Sequence, residues 1–379
     1  MNFDLTDEQV ALAELAEQIF TGSSPVERVV DIEATDDRFD RELWTELASA
    51  NLLGVSVPEE HGGLGFGVFE LCMVLEQQGR RVAPVPLLPS LVMGAMPVAE
   101  FGSAELQSAL LPGVVDGSIV LSGAYQEWGA NDPMTSSISA VADGDGWVLS
   151  GTKPAVPAAA VADRILVPAA TGPDALTVFV IDPSAEGVSM LLSDTTNREL
   201  HGELVLDGHR VGADQVLGTV DQGRSVVAWA VERVNVAMAA IAVGCCAEAT
   251  KMAAEYTSQR EQFGRPLSTN QGVALRAADC YIDTDAMRLV QWQAAWRLDA
   301  GLPASEAVAV AKWWAAEGGQ RVVHGTQHLH GGMGADVDYP VHRYFLWVKQ
   351  LENTLGGGSW QLASLGARIA ARAKAGVGA

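Results

Sequence analysis

The sequence predicts an α+β fold that is mostly α-helical, and three observations predict it. Apolar residues recur at helical spacing up to about Gly117, short β-branched runs follow from about residue 120, and helical spacing returns after Gly223. Helices, then strands, then helices is the order of an α+β protein rather than of alternating βαβ units. No G-x-G-x-x-G follows a strand, so a Rossmann dinucleotide site is not predicted.

Residues 1–118 are predicted to form an N-terminal helical domain. Thr6 and Gln9 have the spacing of a capping box, in which each side chain accepts a hydrogen bond from the backbone N–H of the other residue. Further helices are predicted around Trp44 and over about Val68–Arg80. The Pro- and Gly-rich stretch VSVPEEHGGLG, which begins at Val55, is predicted to be the turn between them.

Residues 119–220 are predicted to form a small antiparallel sheet or barrel. Short runs rich in β-branched residues are separated there by turn signals such as Asp-Gly and Gly-Pro. Strands at this spacing are typical of small all-β domains. The predicted strands are Ser137–Ala142, Gly146–Ser150, Arg164–Pro168, Leu176–Ile181, Gly187–Leu191 and Gly202–Leu206.

Residues 221–379 are predicted to be helical, and the segment Val226–Gln259 is apolar on nearly every side. Such a helix is buried in a large bundle or at a subunit interface, so we expect the isolated chain to form oligomers. Further helices are predicted from Ser268 to about Leu298 and from Ser305 to about Val323. Three glycines then interrupt the stretch LENTLGGGSW, which begins at Leu351.

Composition argues against several classes of function. The chain has 24 Lys+Arg against 47 Asp+Glu, and its net charge of −23 argues against binding to nucleic acid or anionic lipid. No uninterrupted apolar run approaches the roughly 18–20 residues of a membrane span. Pro89 and Pro97 break the richest candidate, Leu87–Val98. The N-terminal stretch MNFDLTDEQ is acidic, unlike a secretory signal, so a cytoplasmic protein is expected.

Neither the histidines nor the cysteines predict a metal site. His324 and His328 would share one face of a helix, but Gly325 stands where a zincin carries Glu. Buried reduced thiols are expected at the cysteines, which show no C-x-x-C spacing: Cys72, Cys245, Cys246 and Cys280.

Two stretches of the C-terminal region have the composition of anion-binding turns. In REQFGRP, residues 260–266, two arginines flank a glycine, so the stretch is either an interhelical turn or a grip for phosphate. In QHLHGGMG, residues 327–334, three glycines within four residues let backbone N–H groups converge on a phosphate. The motif DYP follows from Asp338.

These stretches, in their order and setting, resemble the acyl-CoA dehydrogenase family, and the resemblance covers nearly the whole chain. The matching motifs are VSVPEEHGGLG, LSGTK from Leu149, REQFG, and HLHGGMG followed by DYP. The resemblance implies an N-terminal helical domain, a small central antiparallel β-barrel, a C-terminal four-helix bundle and FAD as cofactor. It also implies tetramers in which R-x-x-F-G and GG-x-G grip the ADP half of a neighbouring subunit's FAD. The cofactor-binding residues it implies are Arg260, Gln262, Phe263, Gln271, His328, Gly331, Gly332 and Gly334.

The base that the family uses to remove a proton from an acyl-CoA thioester is missing from its usual position. Many members carry this Glu just before a Gly-Thr late in the bundle, and the matching residue here is Leu355, followed by two glycines. A minority carries it in a Glu-Arg pair on the first bundle helix. Glu232 lies near the expected place, Val234–Asn235, but two residues correspond to about 200° around a helix. Glu232 is the candidate base of this chain, and a base on a partner chain is favoured over it.

The central region departs from the family as well. QEWGAN, from Gln126, stands in place of Thr-Glu-Pro and its small-residue turn, and Pro154–Pro157 stands where a Trp and a Ser/Thr contact the isoalloxazine. The missing elements hold the flavin ring in a subunit's own site, whereas the retained ones serve a neighbour's FAD. This division resembles one chain of the heteromeric α2β2 acyl-CoA dehydrogenases of actinobacterial sterol side-chain degradation.

Three functions follow from these observations. The favoured one is a subunit of an FAD-dependent acyl-CoA dehydrogenase, with a homologous partner, an acyl-CoA substrate such as a steroid side-chain ester, and electron-transfer flavoprotein as the acceptor implied by the family. The second is a homomeric dehydrogenase with Glu232 as base. The third is a non-catalytic scaffold that binds a CoA ester.

Overall fold

A computed structural model of the chain describes residues 3–374. The predicted capping box begins the first helix, where the Gln9 N–H donates to Thr6 Oγ1 at 3.2 Å and the Thr6 N–H donates to Gln9 Oε1 at 3.0 Å. The α-helices of the N-terminal region are α1 (Asp7–Ser23), α2 (Val26–Glu33), α3 (Arg41–Ser49), α4 (Val68–Arg81), α5 (Met96–Phe101) and α6 (Ala104–Val115).

The stretch around Pro89 and Pro97 is helical, although sequence analysis treats these prolines as breaks. Residues 88–95 form a π-helix that runs directly into α5. Pro89 is the second residue of this helical stretch, where a backbone N–H is not needed for an intrahelical hydrogen bond, whereas the Met93 carbonyl four residues before Pro97 accepts a hydrogen bond from Tyr125 Oη at 2.9 Å instead. Residues 89–98 of this stretch are buried.

A single eight-stranded sheet follows, which confirms the fold class of helices, central sheet and helices. Its order is β6-β7-β3-β2-β4-β5-β8, with β1 paired to β4. Most pairings are antiparallel, but β4 pairs in parallel with both β1 and β2. The strands are β1 (Leu121–Gly123), β2 (Ser139–Asp143), β3 (Gly146–Pro157), β4 (Arg164–Gly172), β5 (Ala175–Ile181), β6 (Val188–Asp194), β7 (Leu200–Val211) and β8 (Val216–Leu217).

The C-terminal region is helical apart from a short hairpin. Its elements are α7 (Gly223–Gln259), the hairpin strands β9 (Glu261–Gln262) and β10 (Arg265–Pro266), α8 (Gln271–Asp299), α9 (Ser305–Leu329), α10 (Val341–Asn353) and α11 (Gly358–Lys374). The LENTLGGGSW stretch is the end of α10, a short loop and the start of α11.

Helix α7 is buried within the chain itself, which corrects the expectation that its apolar surface requires oligomers. Val227, Val234 and Met238 are inaccessible to solvent in the single chain. By length and composition α7 is also apolar enough to cross a membrane, but 78% of its most apolar stretch is buried inside the protein. Its all-round apolarity therefore reflects burial among other parts of the same chain.

Helices α4 and α7 cross at a pair of glycines. A Cβ added to Gly79 would lie 2.1 Å from the carbonyl oxygen of Ile241, and one added to Gly244 would lie 2.0 Å from the carbonyl oxygen of Glu76. Both distances are far below van der Waals contact. The two backbones can approach this closely because neither residue has a side chain.

Two compact units make up the fold. One comprises the chain up to Val29, Cys72–Ala83 and the chain from Asn235 onward, and the other comprises Val30–Leu71 and Pro84–Val234. The first unit includes most of α4 together with α8 to α11, and the second includes the sheet. The division into domains at residues 118 and 220 remains a prediction.

Candidate cofactor-binding site

The hairpin between α7 and α8 presents three of the predicted cofactor residues to solvent. Phe263 and Gly264 form its tip with positive φ angles of 57° and 77°. The Phe263 side chain is 95% exposed, and Arg260 and Gln262 are exposed as well. The Phe263 ring is thus almost fully accessible to a ligand or to another chain.

The two arginines of this hairpin have different environments. Arg265 donates to Asn270 Oδ1 at 2.7 Å, which ties the hairpin to the start of α8. The backbone of Arg260 is fixed, because its N–H donates to the Tyr256 carbonyl at 2.8 Å. Its guanidinium, however, makes no hydrogen bond or ion pair with any residue between 3 and 374. The hairpin is thus an interhelical turn that also leaves one arginine available to an external anion.

The glycine-rich turn after α9 has an open side and a packed side. A Cβ added to Gly331, which has a φ of 60°, or to Gly332 would meet no atom within 4 Å. A Cβ added to Gly334 would lie 2.2 Å from the Gln327 carbonyl oxygen, and Gln327 Nε2 donates to the Gly334 carbonyl at 2.6 Å. The first two glycines therefore keep the backbone accessible from outside, and the third closes the turn onto α9.

An aromatic cluster joins this turn to the end of α7. The ring of His330 lies 4.8 Å from Tyr256 and 5.2 Å from Tyr339, between centroids. Its Nδ1 donates to the Thr326 carbonyl at 2.8 Å, and burial lowers its pKa, an effect partly offset by that hydrogen bond. Because Tyr256 is one turn before Arg260, the cluster connects the arginine to the glycine-rich turn. No motif in the sequence predicts this role for Tyr256, although its four-residue spacing from Arg260 places both residues on one face at the end of α7.

The other two predicted cofactor residues lie at the ends of neighbouring helices. Gln271 is the exposed first residue of α8, and His328 is exposed in the last turn of α9. All eight predicted residues belong to the unit that contains α8 to α11. They occur on three segments: the hairpin, the start of α8 and the end of α9 with its glycine-rich turn.

The loop after α10 keeps its bend without a carboxylate. Leu355 takes the position of the usual base with a φ of 56°, and its side chain is only 6% exposed. Gln361 Nε2 donates to the Leu355 and Gly356 carbonyls at 3.3 Å each. A Cβ at Gly356 would lie 2.2 Å from the Trp360 ring, so the loop is packed tightly against α11.

Lys312, a fully buried lysine on α9, caps the helix that precedes this loop. Its Nζ donates to the Leu351 carbonyl and, at 3.4 Å, to the Glu352 carbonyl. These are among the last carbonyls of α10, which have no partner within the helix. Burial lowers the pKa of Lys312 to about 7, an effect partly offset by the Glu352 carboxylate.

The candidate base Glu232 lies half-buried on an uninterrupted helix. Helix α7 runs from Gly223 to Gln259 without a bulge, so Glu232 keeps its two-residue offset from the position that the family resemblance implies. At that position stands Val234, which is fully buried, and the next residue, Asn235, is buried with an Oδ1 that has no hydrogen-bond partner among the described residues. Arg233 stacks on Trp229, with the guanidinium carbon 3.4 Å from the ring centroid.

The segments that match the family's flavin-ring contacts are used internally. Glu127 forms a buried ion pair with Lys153 and accepts from Ser137 Oγ at 2.7 Å. Gln126 Nε2 donates to the carbonyl of Ala155, a residue with a φ of 50°. Ala155 and the following residues up to Pro157 supply neither an aromatic face nor a hydroxyl.

The residues present therefore fit one end of FAD and not the other. An arginine without an internal partner and an open glycine-rich turn suit the pyrophosphate of the ADP half. The isoalloxazine finds no matching contact at residues 154–157. No group of three or more His, Cys, Asp or Glu side chains among residues 3–374 is arranged to hold a metal ion.

The chain combines a mostly helical fold with an exposed arginine hairpin and an open glycine-rich turn, and known proteins share its sequence and structure. The family profile described as "Acyl-CoA dehydrogenase, N-terminal domain" matches residues 6–118, and "Acyl-CoA dehydrogenase, C-terminal domain" matches residues 221–370. Acyl-CoA dehydrogenase FadE27 of Mycobacterium tuberculosis is 38% identical over 378 residues, covering 98% of this chain and 99% of FadE27.

Two solved structures are similar over the same extent. A chain of the ChsE4–ChsE5 complex from Mycobacterium tuberculosis has a TM-score of 0.91 and 38% identity, covering 98% of this chain and 99% of that one. A chain of a Tcur3481–Tcur3483 steroid ACAD variant has a TM-score of 0.91 and 48% identity, covering 97% and 99%. The chain belongs to the acyl-CoA dehydrogenase family, whose members are FAD-dependent oxidoreductases.

Proposed function

We propose that this chain is the subunit of a heteromeric acyl-CoA dehydrogenase that lends the ADP-binding half of the FAD site to a catalytic partner. One observation carries the proposal: Arg260 stands exposed and unpaired among the described residues, whereas Leu355 fills the position of the base. The chain keeps what serves a neighbour's cofactor and lacks what serves its own.

The relatives support a heteromeric assembly. Structures similar to this chain come from a ChsE4–ChsE5 complex and from a Tcur3481–Tcur3483 steroid ACAD, each named for two different chains. We infer a homologous partner, a heterotetramer, and a steroid side-chain CoA ester as the substrate. Electron-transfer flavoprotein is the proposed acceptor and the cytoplasm the proposed location.

In this reaction, the residues of this chain bind and orient the cofactor. Arg260 holds the pyrophosphate by a charge-assisted hydrogen bond, and the backbone at Gly331 and Gly332 approaches the same group. His328 would donate to the cofactor from a ring nitrogen, and the exposed Phe263 ring would pack against an apolar part of it. FAD would supply the hydride acceptor for Cβ of the acyl-CoA. The proton on Cα goes to a base of the partner chain.

Co-expression tests this function. The chain is purified alone and together with the neighbouring homologous gene product, and flavin absorbance is measured per chain. We expect flavin and turnover only when the two chains are purified together. A flavin-containing, active preparation of the chain alone would instead support a homomeric dehydrogenase with Glu232 as base. A colourless preparation in both cases would support the CoA-ester scaffold.

A further inference from the structure

A groove where α8 ends and α9 begins lies far from the proposed cofactor surface. It has a volume of about 590 Å³ and is bounded by the last turns of α8, the first turns of α9 and the helix α11. Gln271 begins α8 beside the hairpin, whereas Arg297 of the groove lies near the other end of the same helix, about 40 Å away along its axis. The groove therefore shares no lining residue with the cofactor surface.

One face of α11 supplies both apolar surface and positive charge to this groove. Its lining residues recur at intervals of three and four positions and so lie on the same side of the helix: Leu365, Arg368, Ile369 and Arg372. Ile369 is 44% exposed and Leu365 is half-buried. Together with Val310 of α9 they form an aliphatic floor beside the guanidinium groups.

The three arginines of the groove differ in what they contact. Arg372 Nη1 lies 2.8 Å from Glu306 Oε1, so its charge is matched within the chain. Arg297 Nε donates to the Pro303 carbonyl at 2.8 Å, which orients the guanidinium without neutralising it. Arg368 makes no hydrogen bond or ion pair with any residue between 3 and 374. Two of the three positive charges therefore remain available to an external anion.

This excess of positive charge contrasts with the composition of the chain. The sequence has 24 Lys+Arg against 47 Asp+Glu and a net charge of −23, whereas three arginines and a single carboxylate, that of Glu306, line the groove. Like charges gathered in one groove repel each other, and an anion bound among them relieves that repulsion. The groove thus attracts anions locally, although the chain as a whole repels them.

The lining also defines the class of ligand. A guanidinium can donate two parallel hydrogen bonds to a carboxylate or a phosphate. Aliphatic surface is stabilised by about 25 cal/mol per Å² when an apolar group removes it from water. A bare anion would leave the aliphatic floor in water, and a neutral apolar molecule would leave the arginines without an anion. The volume of the groove lies within the range of about 300–1,000 Å³ that is usual for small-molecule sites.

We propose that this groove binds an amphiphilic anion, which is a small molecule with an apolar body and one carboxylate or phosphate group. Arg297 and Arg368 hold the oxyanion, and the floor of Val310, Leu365 and Ile369 covers the apolar body. None of these residues belongs to the cofactor surface, so the site is independent of the proposed function.

Calorimetric titration of the purified full-length chain tests the ligand class. The probes are laurate, dodecyl phosphate, dodecyltrimethylammonium and inorganic phosphate, with the amphiphiles kept below their micelle-forming concentrations. We expect one molecule of laurate, of dodecyl phosphate or of either to bind per chain, and the comparison shows which oxyanion the groove takes. Absence of binding by both would overturn the proposal. Equally tight binding of dodecyltrimethylammonium, or of inorganic phosphate, would overturn it as well.

Substitution of Arg368 locates the site. Arg368→Gln should weaken binding of the anionic amphiphile by about 10- to 100-fold in Kd, because it removes a charge-assisted hydrogen bond. Arg276→Gln is the matched control: Arg276 is also exposed and without a partner among residues 3–374, but it lies outside the groove. Its Kd should equal that of the wild type. Equal losses in the two variants, or no loss in Arg368→Gln, would show that the anion binds elsewhere.

Substitution of Glu306 should have the opposite effect, which misfolding cannot imitate. Glu306→Gln removes the carboxylate that engages Arg372, so a third guanidinium becomes available and the affinity should rise about 3- to 10-fold. An unchanged or lower affinity would contradict the assignment of the oxyanion to these arginines.

The same titration on the complex with the neighbouring homologous gene product separates a small molecule from a protein segment as the occupant. Retention of binding in the complex would support the small-molecule site. Loss of binding on assembly would show that the partner chain fills the groove, and it would overturn the proposal.

Discussion

At the scale of single residues, the difference between Arg260 and Arg265 decides how the hairpin is interpreted. Both carry a guanidinium and flank the same turn, and only the resemblance to the R-x-x-F-G motif singles out Arg260 in the sequence. Only the structure shows that Arg265 is committed to Asn270 and that Arg260 has no partner among the described residues. Sequence can predict which residue types suit a phosphate, but it cannot predict which of two equal side chains the fold uses internally.

Replacing Arg260 should separate cofactor binding from assembly. Arg260→Ala should give a complex that forms normally but loses FAD on dilution, with activity restored by excess FAD. Removal of a charge-assisted hydrogen bond to phosphate costs about 1.5–3 kcal/mol, or roughly 10- to 150-fold in affinity. Flavin absorbance after dialysis measures the loss. Arg265→Ala is the matched control, and its complex should retain its flavin. If the Arg260→Ala complex also retains all of its flavin, this chain does not bind the ADP half of the partner's FAD as proposed.

Lys312 shows how a buried charge links stability to pH. Its pKa is lowered to about 7 in the folded chain, whereas the ordinary value is 10.5. Between these values the unfolded chain binds more protons, so the free energy of unfolding should rise as pH increases above about 7. Below that pH the cost of burying the charge is fully present.

Urea unfolding at pH 7, 8 and 9 tests this dependence. The wild type should gain up to about 1.4 kcal/mol per pH unit relative to Lys312→Met, which has no group to titrate there. Other ionisable groups change equally in both proteins and cancel in the difference. Parallel stability curves for the two proteins would show that Lys312 is not titrating in this range.

At the scale of elements, sequence patterns predict helices and longer strands well and short or context-dependent ones poorly. The periodicity around α1, α4 and α8 and the runs that became β3 to β7 are visible in the sequence. Strands β1 and β8 have three and two residues, too few for an alternating pattern. The pattern does not reveal which faces of α7 and α8 are covered by other helices. Apolar surface that one chain cannot cover is predicted on α7, whereas the structure shows exposed apolar residues on α8.

The glycine crossing of α4 and α7 gives a prediction at this scale. Gly244→Ala should lower the free energy of unfolding by about 1–3 kcal/mol, because the new methyl group would overlap the Glu76 carbonyl oxygen and force the helices apart. Gly366→Ala on α11 is the matched control: its Cβ would meet nothing within 4 Å, and better helix propensity should add up to about 1 kcal/mol. Thermal unfolding of both variants measures the contrast, and equal effects would argue against the close crossing.

At the scale of the whole molecule, the question is which chain supplies the base. The family resemblance predicts the site by its motifs, and the structure shows an uninterrupted α7 that keeps Glu232 out of the expected register. Neither the motifs nor the fold of one chain can reveal residues contributed by another. Under the proposed function, the location of the base is a property of the assembly.

Replacing Glu232 in the assembled complex tests that property. Glu232→Gln should leave dehydrogenation within about 3-fold of wild type, whereas loss of a general base costs at least about 100-fold. Turnover is measured in the complex, with flavin content and sedimentation as controls for cofactor and assembly. A 100-fold loss with both controls intact would place the base on this chain.

The loop at Leu355 also has an evolutionary consequence. A single substitution that returned Glu to this position would bury a carboxylate in a site only 6% exposed, held by Gln361 and packed against Trp360. It would still lack the ring contacts absent at residues 154–157. Regaining an independent active site thus requires several changes, each of which is harmful or useless alone. In the proposed function, dependence on a partner is therefore difficult to reverse by single substitutions.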